Sequence, residues 1–222
     1  MIAILLGLNV SVPDHTAFSR RNPGLALATA LGQAQATGPM HVAIDATGLK
    51  IHGAGELHLA VNPNTGEVLA SELTRNDKGD VSQVGPLLQQ IPGPIASVIA
   101  DGAHDGEPAY RAVAERQPDP PMAVVIPPRS TAVPSPAAGT TAPSQRDQHI
   151  QTTWDKGCMV WQKATGYGRQ SHAETAMFCY KAILGSGLRA RTLPAQKTGI
   201  KVGCSVLNRI TPLGRPVSQR IC

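Results

Sequence analysis

At 222 residues the chain can bury one substantial core, and 41% hydrophobic content with only 3% aromatic residues leaves the packing to Val, Ile, Leu and Ala. A formal charge of +5 and a pI near 9.2 favour an acidic partner, nucleic acid first among them. Cys158, Cys179, Cys204 and Cys222 form no CxxC pair and no regular framework, so they read as isolated thiols of a cytoplasmic protein rather than a disulfide scaffold. Without HExxH or a Cys/His cluster, the linear pattern argues against zinc.

The apolar opening, residues 1–8, lacks a basic flank and a cleavage site and is too short to span a bilayer. It reads as the end of a buried helix. A turn at Val12-Pro13-Asp14-His15 separates it from helical stretches over residues 17–21 and 24–27. From His41 the pattern changes. A first strand is expected to end at Asp45, and residues 57–61 alternate like a half-buried strand. A turn over residues 62–66 and a strand over 68–74 complete a hairpin. A helix is expected over 81–91, with Asp80 as its N-cap and Pro86 shortening its first turns.

Next come a strand closing at Asp101, a helix over 107–115 capped by Asp105, and a strand over 122–126. Residues 127 to about 144, rich in Pro, Ala, Ser and Thr and without apolar period, read as an exposed, mobile loop. Helices are expected over 146–163, from 171 to about 185, and from about 200 to 209. Strands alternating with helices after an initial hairpin indicate an α/β sheet of mixed direction.

Three acids stand out. Asp45 and Asp101 each close an apolar run, residues 41–44 and 97–100. Each could simply be the polar end of a strand or part of a turn. If the two strands are parallel neighbours, however, both carboxylates meet at the strand ends where open α/β sheets bind ligands. Glu174 has two readings. Ser171-His172-Ala173-Glu174 matches a capping box, and spacing alone favours that role. Alternatively, Ala173, Met177, Tyr180 and Leu184 form an apolar stripe facing the sheet, with Glu174 and Lys181 along its edge. The carboxylate could then reach the strand ends, and the lysine could meet a phosphate. Two aspartates and a glutamate can hold a pair of hard divalent cations, which activate a water or hydroxyl and stabilise the leaving oxygen of a phosphodiester.

These residues sit in a longer ordered pattern. It runs through Val12-Pro13-Asp14-His15, Ser19-Arg20-Arg21, Ile44-Asp45-Ala46-Thr47-Gly48-Leu49-Lys50, Leu57-His58-Leu59-Ala60-Val61 and Ala100-Asp101-Gly102-Ala103-His104-Asp105. It continues with Ile126-Pro127-Pro128-Arg129, the stretch from Gly166 through Glu174 to Lys181, Leu188-Arg189-Ala190-Arg191 and Leu207-Asn208-Arg209. From about Leu6 onward the chain thereby resembles bacterial insertion-sequence transposases of the DDE type, in the group named after insertion sequence five.

The resemblance implies an α/β, ribonuclease-H-like core in which Asp45, Asp101 and Glu174 are the catalytic triad. They would hold two Mg2+ ions, with Mn2+ able to substitute, for cleavage of double-stranded DNA at element ends and transfer to a target. Tyr167 and Lys181 match DNA-contacting positions of the family's last helix, where the expected arginine is Gln170 and its neighbour is Arg169. The implied organisation is a remnant of a helical N-terminal region over 1–36 and a catalytic domain over 37–222, with the loop at about 127–144. A homodimer follows from the need to pair two DNA ends, and no membrane is involved. Beside Gln170 there are two other departures from the pattern. Gly53-Ala54-Gly55-Glu56 runs straight into Leu57-His58 where relatives carry a basic, tryptophan-containing stretch, which reads as an internal deletion. The N-terminal region reads as truncated. The alternatives are a catalytically dead DNA-binding remnant and a structure-specific nuclease on the same fold.

Overall fold

The computed structural model describes residues 40–51, 53–75, 78–136 and 142–213. The turn and helices expected before His41 lie outside these residues. Five strands, β1 (Met40–Ile51), β2 (Gly53–Val61), β3 (Val68–Arg75), β4 (Ile95–Ala100) and β5 (Ala123–Val125), form one sheet in the order β3-β2-β1-β4-β5. β1 pairs antiparallel with β2, and β2 with β3, whereas β1, β4 and β5 run parallel. The helices are α1 (Val84–Gln89), α2 (Glu107–Arg116), α3 (Gln145–Lys156), α4 (Cys158–Thr165), α5 (Ser171–Leu184) and α6 (Leu193–Ile210). This mixed, helix-flanked sheet is ribonuclease-H-like, as expected. Among the described residues no helix is long and apolar enough to cross a membrane.

Strand alternation divides the core between the two faces of the sheet. Ala43 and Leu49 of β1 join Leu57, Leu59 and Val61 of β2 under Trp161, Met177, Tyr180, Ile200 and Leu207 of α4, α5 and α6. Val42 and Ile44 join Ala60, Val98 and Ala100 on the opposite face, under Leu87, Leu88, Ala109 and Val113 of α1 and α2. The abrupt junction after Glu56 costs β2 nothing: the strand is laddered to β1 from Ile51–Gly53 onward and to β3 on its other side.

Several local expectations are corrected by tertiary context. β1 does not end at Asp45 but continues to Ile51, because β2 supplies partners out to Gly53. Asp80 is not an N-cap. It opens a 3-10 turn, Asp80–Gln83, and α1 starts only at Val84, which puts Pro86 in the first helical turn where its missing N–H is tolerated. Asp105 does not cap α2 either. The N-cap is Gly106, while the buried Asp105 carboxylate pairs with Arg146 at 2.8 Å and accepts the Arg129 N–H.

The single helix expected over 146–163 breaks into α3 and α4 at Gly157, whose φ of +82° suits glycine alone. α6 begins at Leu193 rather than near Ile200, with proline in its first turn. Within the Pro- and Ser-rich segment, Ser135 is bound through its N–H and hydroxyl to Asp147, so its described part is anchored to the start of α3. Cys158, Cys179 and Cys204 are free thiols.

α6 also finishes the outer edge of β3. The Asn208 amide donates to the Val68 carbonyl and accepts from the Val68 N–H, both at 2.8 Å. Asn208→Ala should strip partners from two buried backbone groups and lower stability by about 2 kcal/mol. Urea denaturation checks this, and a loss below about 0.5 kcal/mol, the range of an ordinary surface substitution, would refute it.

Candidate active site

Register creates the first half of the site. In the parallel β1–β4 pair Ile44 stands opposite Ala100, so the next residues, Asp45 and Asp101, are neighbours where β4 stops and β1 runs on. Asp45 is half-buried opposite Leu59 of β2, and its Oδ1 accepts the Ala46 N–H at 2.9 Å. Asp101 caps the 3-10 turn Gly102–His104 by accepting from the Ala103 N–H. The same carboxylate oxygen bonds Nδ1 of the buried His104 at 2.7 Å.

α5 contributes the second half. It docks through Ala173, Ala176, Met177 and Tyr180, while Leu184, expected on the same stripe, is exposed. The capping box expected at Ser171 does not form. The chain is already helical through the 3-10 turn Tyr167–Gln170, and the Ser171 hydroxyl donates to the Gly168 carbonyl instead. Glu174 is therefore an exposed first-turn carboxylate without the capping duty that its spacing suggested. Three ties hold this region to β1. Gln170 is buried and its amide donates to the Ile44 carbonyl at 2.7 Å. Lys181 donates to the Thr47 hydroxyl at 2.5 Å. Beyond α5, the backbone of Ser186 and Leu188 brackets Lys50 with two hydrogen bonds of 2.8 Å.

The electrostatics tie the three acids together. Burial raises the Asp45 carboxyl above the usual range; the Ala46 hydrogen bond opposes this, and the negative charges of Asp101 and Glu174 add to the rise. Asp101 moves the other way, held low chiefly by the His104 hydrogen bond. Tyr167 packs on Trp161 with ring centroids 5.5 Å apart. Its phenol is pushed up by burial first, then by the charges of Asp101, Glu174 and Asp45. The three acids offer carboxylate oxygen alone, and a hard divalent cation would offset the Asp101 and Glu174 charges that add to the burial-driven rise at Asp45.

Arg169 is exposed, and its charge acts on His41 near the start of β1, where the imidazole bonds Ser97. The one-residue offset from Gln170 turns it by about 120° on a 3-10 turn, so the amide takes the inward position and the guanidinium the outward one.

Among the described residues, the group whose ligand atoms all lie within 4.8 Å of one another is not this one but Glu56, His58 and Asp80. Asp45, Asp101 and Glu174 do not form such a close group, and acids shared between two ions about 3.5–4 Å apart need not crowd so closely. The Glu56 cluster combines alternate residues of β2 with the turn after β3. Its available sequence signal was Glu-Leu-His on an alternating strand, which sets both polar side chains on one face.

The sequence that builds this site matches known family models. A family model described as a transposase DDE domain matches residues 36–197, a span that includes Asp45, Asp101, Glu174 and Lys181. A second model of the same description matches residues 1–54. With most of its length matched across the sheet and α5, the chain belongs to the transposase DDE domain family.

Proposed function

We propose that the chain cuts phosphodiester bonds at the ends of an insertion sequence and joins them to a target, with Asp45, Asp101 and Glu174 as its catalytic, metal-binding acids. The observation carrying this reading is the Asp45–Asp101 adjacency across the parallel pair together with the reach of the Glu174 charge to Asp45. Two Mg2+ ions held by these carboxylates, with Mn2+ able to replace them, would supply Lewis acidity for activating a water or DNA 3′-hydroxyl and stabilising the leaving oxygen.

The chain's own residues do the positioning. His104 fixes Asp101 in one rotamer and favours its ionised form. Burial leaves Asp45 less well solvated than a surface acid, so it gains more from a bound cation. Lys181, beside Thr47 and two residues along the strand from Asp45, meets a DNA phosphate, and Tyr167 and Arg169 complete the DNA contact. In this reading the partner is double-stranded DNA, the working unit is a homodimer that pairs two ends, and the protein acts in the cytoplasm. Residues 37–222 form the catalytic domain, and the chain falls in the insertion sequence five group.

The second reading is a DNA-binding remnant without chemistry. It is favoured by Gln170, which fills the inward position with an amide where relatives have arginine. A nuclease that cuts branched DNA without joining it is the third.

Nicking of labelled element-end DNA in Mg2+ or Mn2+ separates these readings. Asp45→Ala and Asp101→Ala should each lower the rate on the order of a hundredfold or more, since metal catalysis is worth several kcal/mol. Nicking that survives both changes would remove the acids from the mechanism. A folded protein that binds DNA and never nicks would establish the remnant.

The roles assigned on α5 make a separate prediction. Lys181→Ala should weaken DNA binding across all sequences and reduce the magnitude of the salt slope, log K against log salt, by about 1, with metal affinity unchanged. Glu174→Ala should weaken metal binding and leave that slope alone. Equal effects of both substitutions on both measurements would contradict the assignment.

A further inference from the structure

We propose that Glu56, His58 and Asp80 form a second metal site, for a Zn2+-type cation, behind the sheet from Asp45. The faces follow from register. Ala46 stands opposite His58 and Gly48 opposite Glu56, whereas Asp45 stands opposite Leu59. Asp45 therefore shares the α5 face, and Glu56 and His58 share the α1–α2 face. The site needs nothing from the catalytic reading, because it uses other residues and is tested by binding alone.

His58 supplies the decisive observation. It is fully buried, and its Nε2 bonds the Thr74 hydroxyl at 2.9 Å, yet its Nδ1 has no hydrogen-bond partner. The nearest charged oxygen is Oδ1 of Asp80 at 3.7 Å, too far for a hydrogen bond. A tetrahedral cation held at about 2.0–2.2 Å from two ligands sets them roughly 3.4 Å apart. The observed gap is close to that spacing, and the third ligand, Glu56, lies within the same 4.8 Å cluster.

Thr74 completes the arrangement. In the tautomer with Nε2 protonated, Thr74 accepts from it and the Nδ1 lone pair is left for the cation, the outer hydrogen bond that metal-bound histidines ordinarily make. An imidazole with two carboxylates suits Zn2+ and its transition-metal neighbours better than Mg2+. Such a site is invisible to motifs written along one helix, because its ligands come from a strand and a separate turn.

The test is calorimetric titration of the metal-free full chain with Zn2+ in excess Mg2+, which keeps hard-ion sites filled. Co2+ serves as a second probe, read by visible absorption. One equivalent should bind. Glu56→Gln and Asp80→Asn, both at the rim and conservative in shape, should abolish it, and Thr74→Val should weaken it roughly ten- to a hundredfold. Asp45→Asn should leave it intact. No Zn2+ binding in excess Mg2+, binding undiminished in Glu56→Gln and Asp80→Asn, or binding lost with Asp45→Asn would each overturn the proposal.

Discussion

The parallel pairing of β1 with β4 is the constraint on which the candidate site rests. Its register sets Ile44 against Ala100, and a slip of one residue would move every side chain of one strand to the other face. That slip is opposed by burial on both sides, since Ala43 and Ile99 belong to one core and Val42, Ile44, Val98 and Ala100 to the other. Two carboxylates that repel one another are thus held together by the apolar residues that precede them.

The unequal lengths of the two strands matter as much. β4 stops at Ala100 while β1 continues to Ile51, so the far half of β1 has no strand on that side. The surroundings of α5 take over. Gln170 meets the Ile44 carbonyl, Lys181 meets Thr47, and the Ser186–Leu188 backbone meets Lys50. Gln170 thereby joins helix to strand at the point where the β4 ladder ends. Behind it, Trp161 stacks near Tyr167 and donates to His149, which in turn reaches the Val124 carbonyl of β5. The acids are framed by contacts from both ends of the parallel half of the sheet.

Much of this was legible along the chain wherever the cause was local. β2 and β3 announce themselves by alternation and by the turn between them, and the apolar runs before Asp45 and Asp101 mark strands whose pairing the sequence offered only as a condition. The failures share one physical origin: a partner distant in sequence. Ala46-Thr47-Gly48 looks like the start of a loop, and only pairing with β2 keeps it extended. Ser171 and Glu174 have the spacing of a cap, but a preceding turn already satisfies the helix start. Asp105 has the look of a cap because Arg146, the half-buried partner of its buried carboxylate, lies on α3. The Glu56–His58 pair was readable only as strand alternation, since Asp80 reaches it through the fold.

The ties between β1 and α5 span most of the chain, with 126 residues separating Gln170 from Ile44 and 134 separating Lys181 from Thr47. Order of synthesis follows from that distance. The two aspartates can come together as soon as β4 has been made and paired, but the third carboxylate arrives only when the segment through Leu188 has left the ribosome and packed. A growing chain thus spends much of its time in translation without the contacts that seat α5 on β1, and the three acids share one electrostatic neighbourhood only once that segment has packed.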